Sequence, residues 1–402
     1  MSRLLKKNVL LGVTGSIAAY KACLVLRQLQ TDGAQVKVMM TRAAQEFVGK
    51  STFEALTQQQ VMTDLFPDHR VMSTEHIHLA EWAHAVLICP ATANCIGKAA
   101  SGIADDFLTT VIAAARTPVL FAPAMDAAMC KNPVYLMNCD KLRSLGYHIL
   151  KTETGRLASG LKGGGRLAST KYIVDYLTRV LTESTSLQGK KVLISAGPTR
   201  EYIDDIRFIS NPSSGKMGIA LAEEAYLRGA EVTMVTGPIQ ADVMDGIERK
   251  RIESAEEMAG TLMKLWPDFD ILIMAAAVAD YRPAKRFNGK IKKQKDTLTV
   301  EFERTEDILS SAAKQKGQRL VVGFALETGS DANEQALRKL KDKGADLICL
   351  NRLDRSSPVF GSDMNRITLI ENETNQKALP EMTKNETACA IWDKIESMAV
   401  SL

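Results

Sequence analysis

Short apolar runs of strand length alternate with stretches of helical period through most of the chain. Asn8–Val13 is the first run, and the positions after Thr14 take a helical spacing as far as Leu29. A second run covers 33–40 and is closed by Thr41; 85–89 and 119–122 are the next two. The apolar residues Ile77, Leu79, Ala80 and Ala83 within 76–84 suit a helix, and 172–181 is a further helix. The segment 182–190 is short and mostly polar, as a linker is. At Lys191 the pattern restarts, with a helix over 218–228 and apolar runs at 229–237, 270–274, 345–351 and 366–370. Strands alternating with helices predict parallel α/β sheets. The chain therefore reads as two Rossmann-like α/β domains, 1–181 and 191–402, joined by 182–190. The pattern after 370 ends in a helix to which it gives no role.

A length of 402 residues suits two or three domains. The net charge of +4 is small, so no nucleic-acid partner is expected. The first apolar run is too short for a signal segment. No stretch of about 18 apolar residues predicts a membrane span. Seven cysteines occur without a C-x-x-C pair. That argues against a disulfide framework or a zinc site and fits a reducing cytoplasm.

Candidate chemistry lies in the loops. Between the strand at 191–195 and the helix at 218 runs a long loop rich in Gly, Ser and Pro. Such a loop presents backbone N–H groups to a phosphate. Ser213, Ser214 and Gly215 supply donors there, and Lys216 adds charge. The first loop has Gly12, Gly15 and Ser16 but lacks a full Gly-x-Gly-x-x-Gly. A mononucleotide phosphate is thus favoured over a nicotinamide-dependent dehydrogenase. Of the five histidines, His76, His78 and His84 cluster, with spacing poorly suited to a metal. Asp280 follows the strand at 270–274, where parallel sheets bind ligands. Lys285, Arg286, Lys290, Lys292, Lys293 and Lys295 form a basic run. Lys339 and Lys343 share one helix face.

The run Ile209-Ser-Asn-Pro-Ser-Ser-Gly-Lys-Met-Gly218 resembles the signature of phosphopantothenate–cysteine ligases. The upstream half is similar to flavin-dependent phosphopantothenoylcysteine decarboxylases. Together they resemble the bacterial fusion of the two, in coenzyme A synthesis. In the first half the resemblance implies FMN held by Gly15, Ser16, Thr41 and the loop Pro90, Ala91, Thr92, Ala93 and Asn94. His76 matches the active-site histidine. Met125 and Asp126 match residues that hold the substrate carboxylate, where the usual motif has asparagine in place of Asp126. The glycine-rich stretch 155–167 looks like a mobile flap, with Ser159 where the family has the cysteine that protonates the last intermediate. Cys95 and Cys130, close in sequence to the loops at 90–94 and 123–126, are the candidates to take that role. Two outcomes stay open: an active variant lineage, or a decayed flavin domain kept as scaffold.

In the second half the resemblance implies Mg²⁺ and a nucleoside triphosphate, CTP in bacterial members. Asn211 and Lys290 would act on the acyl-nucleotide. Ala275, Ala276, Ala277 and Asp280 would meet the nucleotide, as would Glu306, Asp307, Ile308, Leu309, Phe324, Lys339 and Lys343. Phe360-Gly-Ser-Asp-Met-Asn365 resembles a loop before the last strand. A homo-oligomer acting on 4′-phosphopantothenate and cysteine is implied. A non-catalytic flavin- and nucleotide-binding regulator is the competing reading.

Overall fold

The computed structural model describes residues 4–66, 74–156, 158, 160, 162–182, 184–292, 297–329, 331–352 and 362–399. The chain forms two compact units, Met1–Glu183 and Ser184–Leu402.

The first unit is built on a five-stranded parallel sheet. Its order across the sheet is Gln35–Met40, Asn8–Val13, Ala85–Ala91, Val119–Pro123 and His148–Ile149. Alternate side chains serve opposite faces. Val9, Leu11 and Val13 meet Ala22, Leu26 and Leu29 of the helix Ala19–Thr31 and Leu177 of Thr170–Leu181. Leu10, Val86 and Ile88 meet Leu108 and Val111 of the helix Phe107–Ala114 on the other face. A sheet covered on both faces explains why every residue of Ala85–Ala91 is buried. Each fully buried Leu or Val contributes about 1.5–3 kcal/mol. The chain places Gln35–Met40 on one side of Asn8–Val13 and then crosses to lay Ala85–Ala91 on the other. The direction of winding reverses between those two strands, which is where such sheets open a ligand crevice. Glu153–Arg156 and Lys162–Arg166 form an antiparallel hairpin in the flap-like stretch.

The second unit carries an eight-stranded sheet. Its order is Glu248–Arg251, Glu231–Thr236, Lys191–Ala196, Ile271–Met274, Leu320–Glu327, Leu347–Arg352, Ile367–Ile370 and Gln376–Ala378. The first six are parallel. The expectation of a purely parallel sheet fails at the last two, which run antiparallel. Ile367–Ile370 and Gln376–Ala378 are joined by a tight turn in which Asn372 Oδ1 accepts from the Thr374 and Asn375 N–H groups. A parallel pair would need a long crossover instead.

One boundary has a different cause from the one expected. The helix begins at Lys216, not at Gly218, and Gly215 precedes it with φ +76°. Gly218 serves close packing: a Cβ there would lie 2.5 Å from Ala196 Cβ. The helix Lys384–Ala399 packs on Lys216–Leu227 through buried Trp392, whose indole N–H donates to Leu221 O at 2.9 Å. Arg228, at the far end of Lys216–Leu227, pairs with Glu224, Asp393 and Glu396. Two strand–loop–helix units of the second sheet meet at its own reversal, between Lys191–Ala196 and Ile271–Met274.

Candidate functional site

In the first unit the Thr14 hydroxyl ties two loops together at the reversal point. It donates to Pro90 O at 2.7 Å and accepts from the Thr92 N–H at 3.0 Å, and it is buried. The Thr41 N–H donates to Val13 O at 3.0 Å, and the Thr41 hydroxyl accepts from Ala44 N–H at 3.3 Å. Gly15 is pressed on the same turn, where a Cβ would come 2.6 Å from Ala43 Cβ. Thr92 caps the nine-residue helix Ala93–Ser101 by accepting from the Cys95 N–H. The amides of Gly15, Ala93 and Asn94 make no hydrogen bond among the described residues. Pro90 and Ala91 are buried, while Gly15, Ser16, Thr41, Thr92 and Ala93 are partly exposed and Asn94 is exposed. Unfilled donors and hydroxyls at a helix start fit a phosphorylated flavin.

Met125 and Asp126 join this edge. The Ala124 N–H donates to Ala91 O at 3.1 Å, and the Met125 N–H to Gly165 O of the hairpin at 3.0 Å. Asp126 Oδ1 accepts from the Ala128 N–H at 2.9 Å, capping a short turn. Gly165 has φ +109°, and a Cβ there would strike Met125 O at 2.3 Å and Cys130 Sγ at 3.0 Å. Ser159 lies outside the described residues. Cys95 is buried, and burial, with Asp106 nearby, pushes its thiol up to about 12. Cys130 is partly exposed, its thiol raised by burial.

The histidines separate into different roles. His84 Nδ1 accepts from the Asn8 N–H at 2.8 Å, which fixes the start of the first strand. His78 sits 3.2 Å from Thr74 Oγ1 at the surface. His76 is partly exposed on Glu75–Trp82 and makes no hydrogen bond to the flavin-side loops among the described residues. Ile77, one of the apolar residues of that helix, is 42% exposed. This eight-residue helix rests on the sheet through Leu79, Ala80 and the following Ala83, and Ile77 lies about 200° around the helix from Leu79.

In the second unit a cavity of about 790 Å³ opens at the reversal. The loop 275–280 is held against the strand 191–196 and its following loop. Ala277 N–H donates to Gly197 O at 2.9 Å, Ala276 N–H to Ser195 Oγ at 3.2 Å and Ala279 N–H to Thr199 Oγ1 at 3.0 Å. Asn211 bridges the two loops: Nδ2 donates to Ala277 O at 3.3 Å and Val278 O at 3.0 Å. Its Oδ1 accepts no hydrogen bond among the described residues. Ser213, Ser214 and Gly215 also line the cavity, and the Ser214 and Met217 amides are unfilled among the described residues. Ala275, Ala276, Ala277, Asp280, Glu306, Asp307, Ile308, Leu309, Phe324, Lys339 and Lys343 all line it. Lys343 lies 3.5 Å from Asp307, and Lys339 2.5 Å from Glu327. Burial raises the Asp307 pKa, but the N–H and hydroxyl of Ser310, with Lys343, bring it below the usual range.

Lys290 is exposed and is not among the lining residues. Lys293 and Lys295 of the basic run, and Phe360 of the loop before the last strand, lie outside the described residues. Further lining residues were not picked out as site residues, among them Arg304, Thr305, Asn351, Asn365 and Lys384. Asn351 Oδ1 is buried without a partner among the described residues. Lys384 starts the last helix and donates to the carbonyls of Ser362 and Met364. Burial and the charge of Lys216 lower its pKa. The detectable signal for Lys384 was a lysine opening a helix that also carries a tryptophan; no local motif marks it. Among the described residues no group of three or more His, Cys, Asp or Glu could hold a metal.

Comparison with known proteins places both units. Residues 2–182 match the Flavoprotein family model, and 187–398 match that of the DNA/pantothenate metabolism flavoprotein C-terminal domain. The coenzyme A biosynthesis bifunctional protein of Bacillus subtilis (strain 168) is 42% identical over 396 residues, 98% of this chain and 97% of that protein. Its namesake in Mycobacterium tuberculosis (strain H37Rv) is 42% identical over 406 residues, covering 97% and 96%. The crystal structure of the C-terminal domain of one such protein is 37% identical, covers 55% of this chain and all of that one, and superposes with TM-score 0.47. On two matched domains and relatives aligned over nearly their whole length, the chain belongs to the family of coenzyme A biosynthesis bifunctional proteins, which unite phosphopantothenoylcysteine decarboxylase and phosphopantothenate–cysteine ligase.

Proposed function

We propose that the second unit joins 4′-phosphopantothenate to cysteine using CTP, and that the first converts the product to 4′-phosphopantetheine with FMN. The observation that carries the ligase reading is the cavity shared by Asn211, the Ser213–Gly215 loop and the two lysines 339 and 343. A carboxylate is a poor electrophile. Its oxygen attacks the nucleotide α-phosphate, a mixed anhydride forms and pyrophosphate leaves. The cysteine amine then attacks the acyl carbon, the nucleoside monophosphate departs with the bonding pair, and the amine loses a proton.

Asn211 Oδ1 accepts from the incoming amine while Nδ2 keeps the side chain in place. Ala275, Ala276 and Ala277 offer backbone to the triphosphate. Glu306, Asp307, Ile308, Leu309 and Phe324 form the base side. Lys339, Lys343 and Lys290 offset phosphate charge. Asp280 meets the nucleotide, and Mg²⁺, where bound, would be held mainly through the substrate phosphates and would offset their charge without a protein cage. Pyrophosphate release that requires CTP, magnesium and the phosphorylated acid tests this; equal rates with ATP would reject the CTP assignment.

FMN, when bound, would supply the redox couple for the cysteinyl thiol, taking up and giving back two electrons without net oxidation. The loops at Thr14–Ser16, Thr41 and Pro90–Asn94 hold its phosphate and ring. Asp126 and Met125 meet the substrate carboxylate, where the family's asparagine would donate instead. His76 moves protons at the substrate. Ser159 is a weaker acid than a thiol. Cys95 is buried away from solvent, which leaves Cys130, against the hairpin at Gly165, as the remaining thiol. Carbon dioxide release and product mass from phosphopantothenoylcysteine decide this. Phosphopantetheine means a complete cycle, an oxidised enethiol means the last proton is missing, and no carbon dioxide rejects the reading.

We further propose a homo-oligomer in a reducing cytoplasm. All seven cysteines are free, and Ile17, Tyr20 and Leu24 form an exposed apolar stripe. No helix of the described residues is long and apolar enough to cross a membrane. A monomer by light scattering would reject the assembly.

A further inference from the structure

The segment that carries Lys290 is docked by alternate amides on a single turn. The turn lies between the strands Arg200–Tyr202 and Phe208–Ser210, which pair antiparallel and lead directly into Asn211. The Phe287 N–H donates to Ile203 O at 2.9 Å. The Gly289 N–H donates to Asp205 Oδ2 at 2.8 Å, and the Ile291 N–H to Asp204 Oδ2 at 3.1 Å. Two adjacent carboxylates thus hold the amides on either side of Lys290.

The two carboxylates are themselves fixed. Asp204 is fully buried, and its Oδ1 accepts from the Ile206 and Arg207 N–H groups at 2.8 and 2.7 Å. Its Oδ2 also accepts from Arg207 Nη1 at 2.5 Å. Asp205 is exposed and pairs with Arg286 at 3.1 Å, and the Arg286 guanidinium lies over the Tyr202 ring. A buried carboxylate is stable only when its lone pairs are filled. Here one of the donors filling them is the backbone beside Lys290.

We propose that Asp204 and Asp205 are a positioning pair for Lys290, setting where its backbone stands relative to Asn211. Such a pair is needed because Lys290 has a long, flexible side chain and no lining contact with the cavity. With both neighbouring amides bound, only the side chain remains to be ordered when the triphosphate arrives. The turn that fixes Lys290 continues through a three-residue strand to Asn211, so one hairpin carries both groups. The inference rests on the ligase reading in which Lys290 meets the nucleotide.

The test is a double-mutant cycle on the full-length protein, read as steady-state pyrophosphate release with CTP, 4′-phosphopantothenate and cysteine. Asp205→Ala is the primary variant, because the side chain is exposed and the fold tolerates its loss; Asp204→Asn is the second. Lys290→Ala alone should lower kcat at least tenfold, and a variant with unchanged kcat rejects the underlying role of Lys290. If Lys290→Ala is impaired, Asp205→Ala should lower kcat about three- to tenfold with KM for cysteine unchanged. It should add nothing in the Lys290→Ala background. Asp205→Glu should restore most of the rate. Additive losses, or no loss from Asp205→Ala in the wild-type background, overturn the positioning role. A matching thermal midpoint for Asp205→Ala and wild type separates this from loss of fold. Should Asp204→Asn unfold, the Asp205 cycle decides alone.

Discussion

Replacing Asn211 by aspartate separates anchoring from charge. In the wild type Nδ2 donates to Ala277 O and Val278 O. An ionised aspartate has no N–H, so its oxygens would face two carbonyl oxygens. Two exposed neutral hydrogen bonds are together about 1 kcal/mol, taking about 0.5 kcal/mol for each. The added charge matters more: at about 4 Å from a phosphoryl oxygen and an effective dielectric near 20, repulsion is about 4 kcal/mol. Since about 1.4 kcal/mol is tenfold in rate, Asn211→Asp should slow acyl-nucleotide formation about a thousandfold. Asn211→Ala, which loses the anchor without gaining a charge, should fall only about fivefold. Rapid-quench measurement of pyrophosphate, with the acyl-nucleotide followed by mass, reads the step with and without cysteine. An aspartate variant within about threefold of wild type would refute the reasoning.

Gly15→Ala forces a methyl against Ala43 Cβ at 2.6 Å. Overpacking of this kind costs about 1–3 kcal/mol, and the purified protein should lose flavin absorbance while keeping ligase activity. Gly215→Ala meets Ile239 Cγ2 at 2.6 Å in a left-handed conformation; ligation should be lost and flavin content retained. Lys384→Met should abolish an alkaline limb in the ligase pH profile. That limb lies below the ordinary lysine range because burial and Lys216 lower the Lys384 pKa, so the ammonium is lost early as pH rises. His148 is held below the ordinary imidazole pKa by burial and by Arg179. The unfolded chain therefore binds the proton first, and stability of the first unit should fall as pH drops through about 6.5 toward the folded pKa. His148→Phe should flatten that slope in thermal melts; an unchanged slope counts against it.

What was legible in the sequence was local. The strands at 8–13 and 191–196 announce themselves as apolar runs, and the loops that follow them carry their glycines and serines in one stretch. Asn211 and the 275–280 loop were found through the resemblance, whose motifs are themselves short local runs. The lining residues Asn351, Asn365 and Lys384 were not, because each sits alone in its segment and only the sheet order brings it to the cavity. The antiparallel strands Ile367–Ile370 and Gln376–Ala378 share the alternation of the parallel ones, so their direction had no signature of its own. The anchoring of the Lys290 segment was likewise hidden, since Asp205 and Gly289 lie 84 positions apart.

The helix Lys384–Ala399 buttresses Lys216–Leu227 and places Lys384 in the cavity. Residues emerge from the ribosome in order, so every loop of the ligase cavity is synthesised before the element that braces the phosphate-loop helix. A nascent chain paused before Lys384 would display the binding loops with the Leu221 and Arg228 flank uncovered. Bracing of the ligase cavity thus awaits the residues from Lys384 on, whereas the flavin-side unit, whose parts end at residue 183, has all of them more than 200 residues earlier.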